Sequence, residues 1–259
     1  MTAEDGRRVF VKINQAALLS MFEAEAAGLA ELNAARAVRV PLPLTPGLAG
    51  GQSFLVMEWL DLGGAANTDE IGSALGEQLA QLHGKTSHAF GWQRDNTIGS
   101  TPQSNTATPD WVEFYREQRL RPQFDLAARQ GASPDLIDGG ERLLARLADF
   151  FPGYAPQASL LHGDLWSGNT GVCDGMPVLF DPAVHYGDRE ADLAMTELFG
   201  GFPAAFYAAY NTAWPLDPGY RTRKSLYQLY HLLNHFNLFG TAYARQTQGV
   251  IDRLLAELR

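Results

Sequence analysis

One polar segment of the chain has residue types and spacing that could do chemistry: HGDLWSGN, residues 162–169. Short apolar runs flank this segment, and Asp181 follows the second of them, residues 178–180. Asp164 could orient an attacking hydroxyl or accept its proton, whereas Asn169 and Asp181 offer the hard oxygen ligands that Mg²⁺ prefers. These are the groups that phosphoryl transfer from ATP requires. The segment therefore predicts a magnesium-dependent phosphoryl-transfer site.

The same residues allow a plainer interpretation, because Gly, Asp, Ser and Asn are ordinary turn formers. The position of Asn169 relative to Asp164, and an aspartate after the next strand, favour catalysis over that alternative. No Ser or Cys nucleophile pairs with His162, so we expect its ring to brace the loop. Trp166 could belong to the core or line the acceptor site.

A second candidate constellation lies near the start of the sequence. Lys12 stands in the middle of Val9-Phe10-Val11-Lys12-Ile13, a run whose β-branched residues suit a strand. In kinase-type sites such a lysine binds the α- and β-phosphates of ATP, and a carboxylate on a helix holds its ammonium. Glu23 and Glu25 are both candidates for that carboxylate, and Glu25 fits the helical repeat better. A surface lysine and a surface glutamate would be the alternative.

The elements around these residues divide into an α/β start and a mostly helical remainder. We expect strands at 8–13, 38–40 and 53–57, with a helix over 16–35, and we place a boundary after residue 60. Domain 1–60 would then be a nucleotide-binding lobe, and domain 61–259 a helical lobe with the catalytic loop. The predicted helices of this second lobe are 70–83, 111–129, 134–151, 188–197, 203–214, 219–240 and a tail helix from Gly249. Residues 91–109 predict a long loop.

Composition and charge exclude several classes of protein. The 259 residues are 46% hydrophobic, enough for a sizeable core, and a formal net charge of −9 argues against a nucleic-acid or membrane-surface partner. Apolar stretches are too short to span a membrane. The single cysteine, Cys173, and the lack of a signal-peptide pattern indicate a cytoplasmic protein. His231 and His235 have the spacing of a metal pair, but packing in the core or the acceptor site is the favoured interpretation.

Several blocks of sequence resemble the protein-kinase-like fold of small-molecule kinases, which include aminoglycoside phosphotransferases and choline kinases. Within that group the chain is most similar to the fructosamine kinases, also called ketosamine-3-kinases. The more specific blocks are DNTIGSTPQSN at 95–105, WVEFY at 111–115 and HGDLWSGN at 162–169, and the others are VFVK at 9–12, MFEAEA at 21–26, FLVME at 54–58 and the stretch 181–195. These blocks span nearly the whole chain.

The resemblance implies a fold and a set of roles. The fold would be α+β, with a small antiparallel sheet in an N-terminal lobe and a mostly helical C-terminal lobe. Asp164 would be the catalytic aspartate, Asn169 and Asp181 the Mg²⁺ ligands, and Lys12 with Glu25 the phosphate anchor. The residues expected at adenine are Met57, Glu58 and Leu60. Those that could touch substrate are Trp166, Asn96, Gln103 and Asn105, although the last three could equally tie their own loop together.

The implied reaction is ATP-dependent phosphorylation of the sugar 3-hydroxyl of ketoamines, free or protein-bound, which makes the adduct unstable and repairs glycated amines. Kinase-like folds place two strands and a phosphate-covering loop before the lysine strand, yet only eleven residues precede Lys12. We therefore expect the first strand and that loop to be lacking. Two alternatives stay open: a kinase for another hydroxylated amine, such as an aminoglycoside or a choline-like alcohol, and an impaired nucleotide-binding module. The oligomeric state is not indicated.

Overall fold

The computed structural model describes residues 1–2, 6–64 and 66–258. Its strands are β1 (Val9–Gln15), β2 (Pro43–Ala49), β3 (Gln52–Glu58), β4 (Asn96–Ile98), β5 (Thr101–Gln103), β6 (Ser159–Leu161), β7 (Thr170–Cys173), β8 (Met176–Leu179) and β9 (His185–Gly187). Its α-helices are α1 (Leu19–Ala35), α2 (Asp69–His83), α3 (Trp111–Tyr115), α4 (Arg121–Arg129), α5 (Pro134–Ala145), α6 (Glu190–Leu198), α7 (Ala204–Ala213), α8 (Tyr220–Phe239) and α9 (Ala244–Glu257). In the described part of the chain, no helix is long and apolar enough to cross a membrane.

Two compact units make up the chain. The first unit contains residues 1–85, 160–184 and 199–215, and the second contains residues 86–159, 185–198 and 216–259. The boundary expected after residue 60 falls inside the first unit. This division brings the predicted catalytic loop into the same unit as the N-terminal sheet, whereas the two predicted lobes, 1–60 and 61–259, stay a prediction.

The first unit is built on an antiparallel sheet with the strand order β1–β3–β2. Lys12 lies opposite Leu55, and Phe10 lies opposite Met57. Because side chains alternate along a strand and paired residues share a face, these four residues lie on one side of the sheet. Leu55 and Met57 are buried there. Helix α1 follows β1 and brings Glu25 to Lys12.

The prediction of a strand at 38–40 was wrong, because the second strand of this sheet is β2, seven residues long, in what was expected to be a Pro/Gly loop. Val38 and Val40 are buried, so their apolar character reflects packing. Strand β2 tolerates its prolines because it lies at the edge of the sheet, where not every N–H needs a partner. Gly47 is needed opposite Phe54, since a Cβ there would lie 2.6 Å from the Phe54 ring.

Helices α2 and α7 pack closely in the same unit. Thr68 caps α2 by accepting a hydrogen bond from the Ile71 N–H at 3.3 Å. The approach to α7 depends on Gly76, where a Cβ would lie 2.3 Å from the Phe206 carbonyl oxygen. Buried His83 at the end of α2 is hydrogen-bonded through Nδ1 to the Tyr210 hydroxyl at 2.8 Å.

The second unit is mostly helical, with three differences from the sequence prediction. The helix expected over 111–129 contains a π-helical turn, Arg116–Leu120, between α3 and α4. The tail helix α9 begins at Ala244, five residues before the expected start at Gly249. Part of the expected loop 91–109 forms the hairpin of β4 and β5.

Candidate active site

The loop before β7 is held by a glycine and a buried histidine. Gly163 has φ = +83°, and a Cβ there would lie 2.1 Å from the Ala183 carbonyl oxygen, so only glycine fits. His162 donates from Nε2 to the Phe180 carbonyl at 3.0 Å and accepts the Asp164 N–H at Nδ1, 3.3 Å away. The imidazole is therefore neutral and braces the loop, the structural role that the sequence favours.

Asn169 connects Asp164 to Asp181. Its Nδ2 donates to the Asp164 carbonyl at 2.9 Å, to Asp164 Oδ2 at 3.3 Å and to the Asp181 carbonyl at 3.4 Å. With Nδ2 used in this way, Oδ1 is the atom of this amide that could bind a cation. Asp181 itself has φ = +57°, a left-handed backbone that aspartate tolerates better than most residues.

Lys12 forms ion pairs with two carboxylates. Its Nζ lies 2.6 Å from Glu25 Oε1 and 2.6 Å from Asp181 Oδ1. Burial alone would lower the pKa of the Lys12 ammonium, but the charges of Glu25 and then Asp181 outweigh it, so the pKa is raised. Burial raises the pKa of Glu25, and Lys12 opposes that rise. The ammonium is thus a fixed positive charge at a site that Asp181 also reaches.

The residues expected at adenine follow β3. Met57 is buried, and Glu58 is held by an ion pair with Arg39 and by the Leu42 N–H, which donates to Glu58 Oε2 at 3.1 Å. The Glu58 N–H donates to the Leu42 carbonyl at 2.8 Å, so the Glu58 carbonyl is the backbone group that could face adenine if the prediction holds. The Leu60 carbonyl accepts the Leu62 N–H at 3.1 Å, so its own N–H is the group that could face a nucleotide.

Two residues of this unit were missed by the sequence analysis. Phe10 lies on the same face of the sheet as Lys12, opposite Met57, and is half-exposed. Because side chains alternate along a strand, its place on the Lys12 face could have been predicted from the sequence. Phe199 contacts Trp166, which is 38% exposed. No local motif marks Phe199, because it is 33 residues beyond Trp166 in the sequence.

Asn96, Gln103 and Asn105 lie in the second unit and bond to one another. Asn96 Oδ1 accepts from Gln103 Nε2 at 2.8 Å and from Asn105 Nδ2 at 3.0 Å. Gln103 Oε1 accepts the Tyr230 hydroxyl at 2.6 Å, and Asn105 Oδ1 accepts from buried Arg119 at 2.6 Å. These contacts support a role in holding the hairpin together. A role in binding substrate stays a prediction for all three residues.

His231 and His235 belong to no metal-binding group in the part of the chain that the structure describes. The His235 ring donates from Nδ1 to the His231 carbonyl at 2.8 Å, and burial lowers the pKa of His231 to about 3. In the described ranges, no group of three or more His, Cys, Asp or Glu side chains could hold a metal ion by itself. Asn169 and Asp181 nevertheless fit Mg²⁺, since this ion is commonly held by one or two protein oxygens together with substrate phosphates.

The chain matches the fructosamine kinase family model over residues 1–257. It is 49% identical over 252 residues to a Synechocystis protein named a probable ketoamine kinase, an alignment that covers 96% of this chain and 83% of the relative. It is 43% identical over 259 residues to the chloroplastic protein-ribulosamine 3-kinase of Arabidopsis thaliana, covering 98% of this chain and 78% of the relative.

Solved structures agree with this match. A crystal structure from Haemophilus somnus, described as a "putative fructosamine-3-kinase", superposes with a TM-score of 0.88 at 34% identity and covers 97% of this chain and 85% of that one. An aminoglycoside phosphotransferase at 16% identity shares the fold, with a TM-score of 0.60 and coverage of 98% of this chain and 89% of that one. The expected α+β protein-kinase-like fold is confirmed. The chain belongs to the fructosamine kinase family.

Proposed function

We propose that this chain transfers the γ-phosphoryl group of ATP to the 3-hydroxyl of a ketoamine, the sugar adduct of an amine. The observation that carries the proposal is one connected set of residues in the first unit. The Lys12 ammonium lies between the Glu25 and Asp181 carboxylates, and the Asn169 amide lies between the Asp164 carboxylate and the Asp181 backbone carbonyl. An aspartate for the hydroxyl, oxygen ligands for a cation and a fixed lysine for phosphate are the parts that this reaction needs.

Each residue has a step that follows from its position. Asp164 orients the acceptor hydroxyl and takes its proton as the oxygen attacks the γ-phosphorus of ATP, and the bond from that phosphorus to the bridging oxygen breaks to release ADP. Lys12, positioned by Glu25, would bind the α- and β-phosphates, and Asn169 and Asp181 would hold Mg²⁺. Mg²⁺, when bound, supplies neutralisation of charge on the phosphates. Because Asp181 is already paired with Lys12, nucleotide binding would bring phosphate oxygens into competition with that carboxylate.

The acceptor is proposed from the family and from the names of the relatives. A ribulosamine or a fructosamine on a lysine side chain would be a substrate, with release of the amine after phosphorylation as the consequence. Met57, Glu58 and Leu60 would hold adenine. The cytoplasmic location expected from the sequence stays a prediction.

Mass spectrometry of a ribosylated lysine peptide tests the proposal. We expect a phosphate adduct after incubation with this chain and Mg-ATP, and no adduct with Asp164→Asn or without Mg²⁺. Cys173→Ser is the matched control, because Cys173 is half-exposed and bonds only weakly to Asp174, so it should retain normal turnover.

A panel of acceptors separates the alternatives. Phosphate on an aminoglycoside or a choline-like alcohol, with none on the glycated peptide, would move the proposal to another hydroxylated amine. Binding of ATP without transfer to any acceptor would favour a nucleotide-binding module, and would overturn the proposed reaction.

A further inference from the structure

We propose that Phe199 completes the acceptor subsite expected at Trp166, as a specificity-determining residue that contacts the C–H face of the sugar. These two rings are called the aromatic corner below. This inference rests on the proposed function, because it names the part of the same site that takes the ketoamine.

The aromatic corner is exposed where large aromatic rings are usually buried. Trp166 is 38% exposed and Phe199 is 41% exposed, yet the rings touch, with centroids 6.3 Å apart and planes at 76°. An edge-to-face pair of this kind is usually a component of a core or an interface, because each ring can bury a large apolar area. Two rings that meet at about a right angle and stay open to solvent offer two faces to a ligand.

Two glycines hold the aromatic corner against the catalytic loop. A Cβ at Gly168 would lie 2.2 Å from the Trp166 ring, so the indole can lie over this residue only if it is glycine. A Cβ at Gly201 would lie 2.6 Å from the Ser167 side chain, and Gly201 has φ = +101°. The segment that carries Phe199 therefore packs directly on the loop that carries Trp166.

The aromatic corner is also fixed relative to the reacting group. Trp166 follows Asp164 by two residues, and the backbone N–H of Trp166 donates to the Asp164 carbonyl at 3.2 Å. The Asn169 side chain donates from Nδ2 to the same carbonyl at 2.9 Å, and the Asn169 backbone N–H donates to the Trp166 carbonyl at 2.9 Å. A substrate that rests on the indole is thus placed at a constant offset from the carboxylate that orients its hydroxyl.

The chemistry of a ketoamine matches such a surface. The sugar carbons present C–H groups, which are the weakly positive partners that the negative face of an aromatic ring attracts. The neighbouring amine is a secondary ammonium near neutral pH, and an aromatic face also attracts a cation. The aromatic corner can therefore bind both parts of the acceptor without consuming the hydroxyl that must react.

Steady-state kinetics of Phe199 variants on a ribulosamine peptide test the inference. We expect Phe199→Ala to raise the acceptor KM about five- to tenfold, the loss of roughly 1–1.4 kcal/mol that one aromatic face provides, while the KM for ATP stays unchanged. Phe199→Tyr should restore the acceptor KM, because it keeps the ring, and Phe199→Leu should restore only part of it. Phe239→Ala is the matched control, since Phe239 is another exposed phenylalanine, at the end of α8.

A purely structural role for Phe199 would give a different result. It would lower the melting temperature and change kcat and both KM values together, and Phe199→Leu would then restore activity as well as Phe199→Tyr. An unchanged acceptor KM in a folded Phe199→Ala protein would overturn the inference while leaving the proposed reaction in place.

Intrinsic fluorescence provides a readout that does not depend on turnover. We expect titration with a ribulosamine peptide, without ATP, to change the tryptophan emission, and Trp166→Phe to remove that change. If the emission responds but no phosphate is transferred, the subsite stands and the proposed reaction is wrong. If neither transfer nor a fluorescence response is found, both are overturned.

Discussion

The two units of this chain each contain a cluster of charged side chains, and the clusters differ in exposure. In the first unit Lys12 pairs with Glu25 and Asp181. The Lys12 side chain is 24% exposed, that of Glu25 is 12% exposed and that of Asp181 is 46% exposed. In the second unit Arg223 binds Glu190 through Nε at 2.7 Å and Nη2 at 2.9 Å, with 2% and 0% of the two side chains exposed. The same kinds of ion pair therefore lie in two different environments.

In the buried cluster of the second unit, the charged side chains bond to several partners within the fold. Arg223 also binds Asp217 at 2.8 Å and lies over the Tyr154 ring at 3.7 Å, and Tyr154 donates to Asp188 at 2.9 Å. A ligand could enter this cluster only by breaking contacts that are made inside the fold. In the proposed function, the open cluster of the first unit would exchange a carboxylate for a phosphate. The comparison therefore predicts that exposure, rather than the number of charges, distinguishes a binding site from a structural ion pair.

The largest effect is expected in the first unit, from Asp164→Asn. Turnover should fall on the order of 10²–10⁴-fold, because an amide cannot accept the proton of the hydroxyl. The fold should be retained, since the new Oδ1 can still accept from Asn169. Activity and melting temperature measured on the same preparation check this, and near-normal turnover would remove Asp164 from its assigned role.

Arg223→Met, unlike Asp164→Asn, should cause a large loss of stability. It would leave Glu190 buried without its partner, which costs about 3–5 kcal/mol of unfolding free energy. Arg146→Met is the matched control, because the Arg146–Asp149 pair is about half exposed, and it should cost about 0–1 kcal/mol. Urea unfolding of both variants measures the difference. Equal losses would mean that burial does not distinguish the pairs.

Lys12→Met should weaken the use of ATP. We expect kcat/KM for ATP to fall roughly 10- to 100-fold, the loss of one charge-assisted contact. Unfolding free energy should also fall, but by less than in Arg223→Met, because Glu25 loses its partner in a cluster that is less buried. Lys224→Met removes a similarly exposed lysine paired with Glu197 in the second unit, and should leave ATP kinetics unchanged. A comparable loss in both variants would argue against a special role for Lys12.

The smallest effect concerns pH and buried His231. Burial lowers its pKa in the folded protein to about 3, whereas the unfolded chain titrates near the ordinary value of 6.5. Below pH 6.5 the unfolded state binds more protons, so stability should fall by up to about 1.4 kcal/mol per pH unit from this residue. Denaturant unfolding at pH 7.5, 6.5 and 5.5 should show a weaker dependence for His231→Gln. An equal slope in both proteins would contradict this assignment.

The sequence predicted contacts between neighbouring elements better than it predicted long-range contacts. Lys12 and Glu25 were expected to meet from a strand followed by a helix, and they lie in contact. Their role toward ATP stays a prediction. The pair of Arg223 and Glu190 was not anticipated, because the residues are 33 positions apart and share no motif. The local sequence pattern also did not indicate that Phe199 would contact Trp166.

Errors in the elements have equally specific causes. The strand expected at 38–40 was inferred from valines that are buried, although the sheet uses the Pro-containing segment of β2 instead. Proline argues against a central strand but not against an edge strand, and the sequence alone does not say which strand is at the edge. The π-helical turn Arg116–Leu120 keeps a helical composition, so it could not be told from α-helix.

Locating the phosphate on the product tests the central claim most directly. A glycated lysine peptide should be treated with this chain and Mg-ATP, and the product examined by ³¹P NMR and tandem mass spectrometry. The account predicts a phosphate on the sugar 3-oxygen that depends on Asp164. A phosphate on another hydroxyl of the sugar or on the peptide, or one that persists in Asp164→Asn, would contradict it.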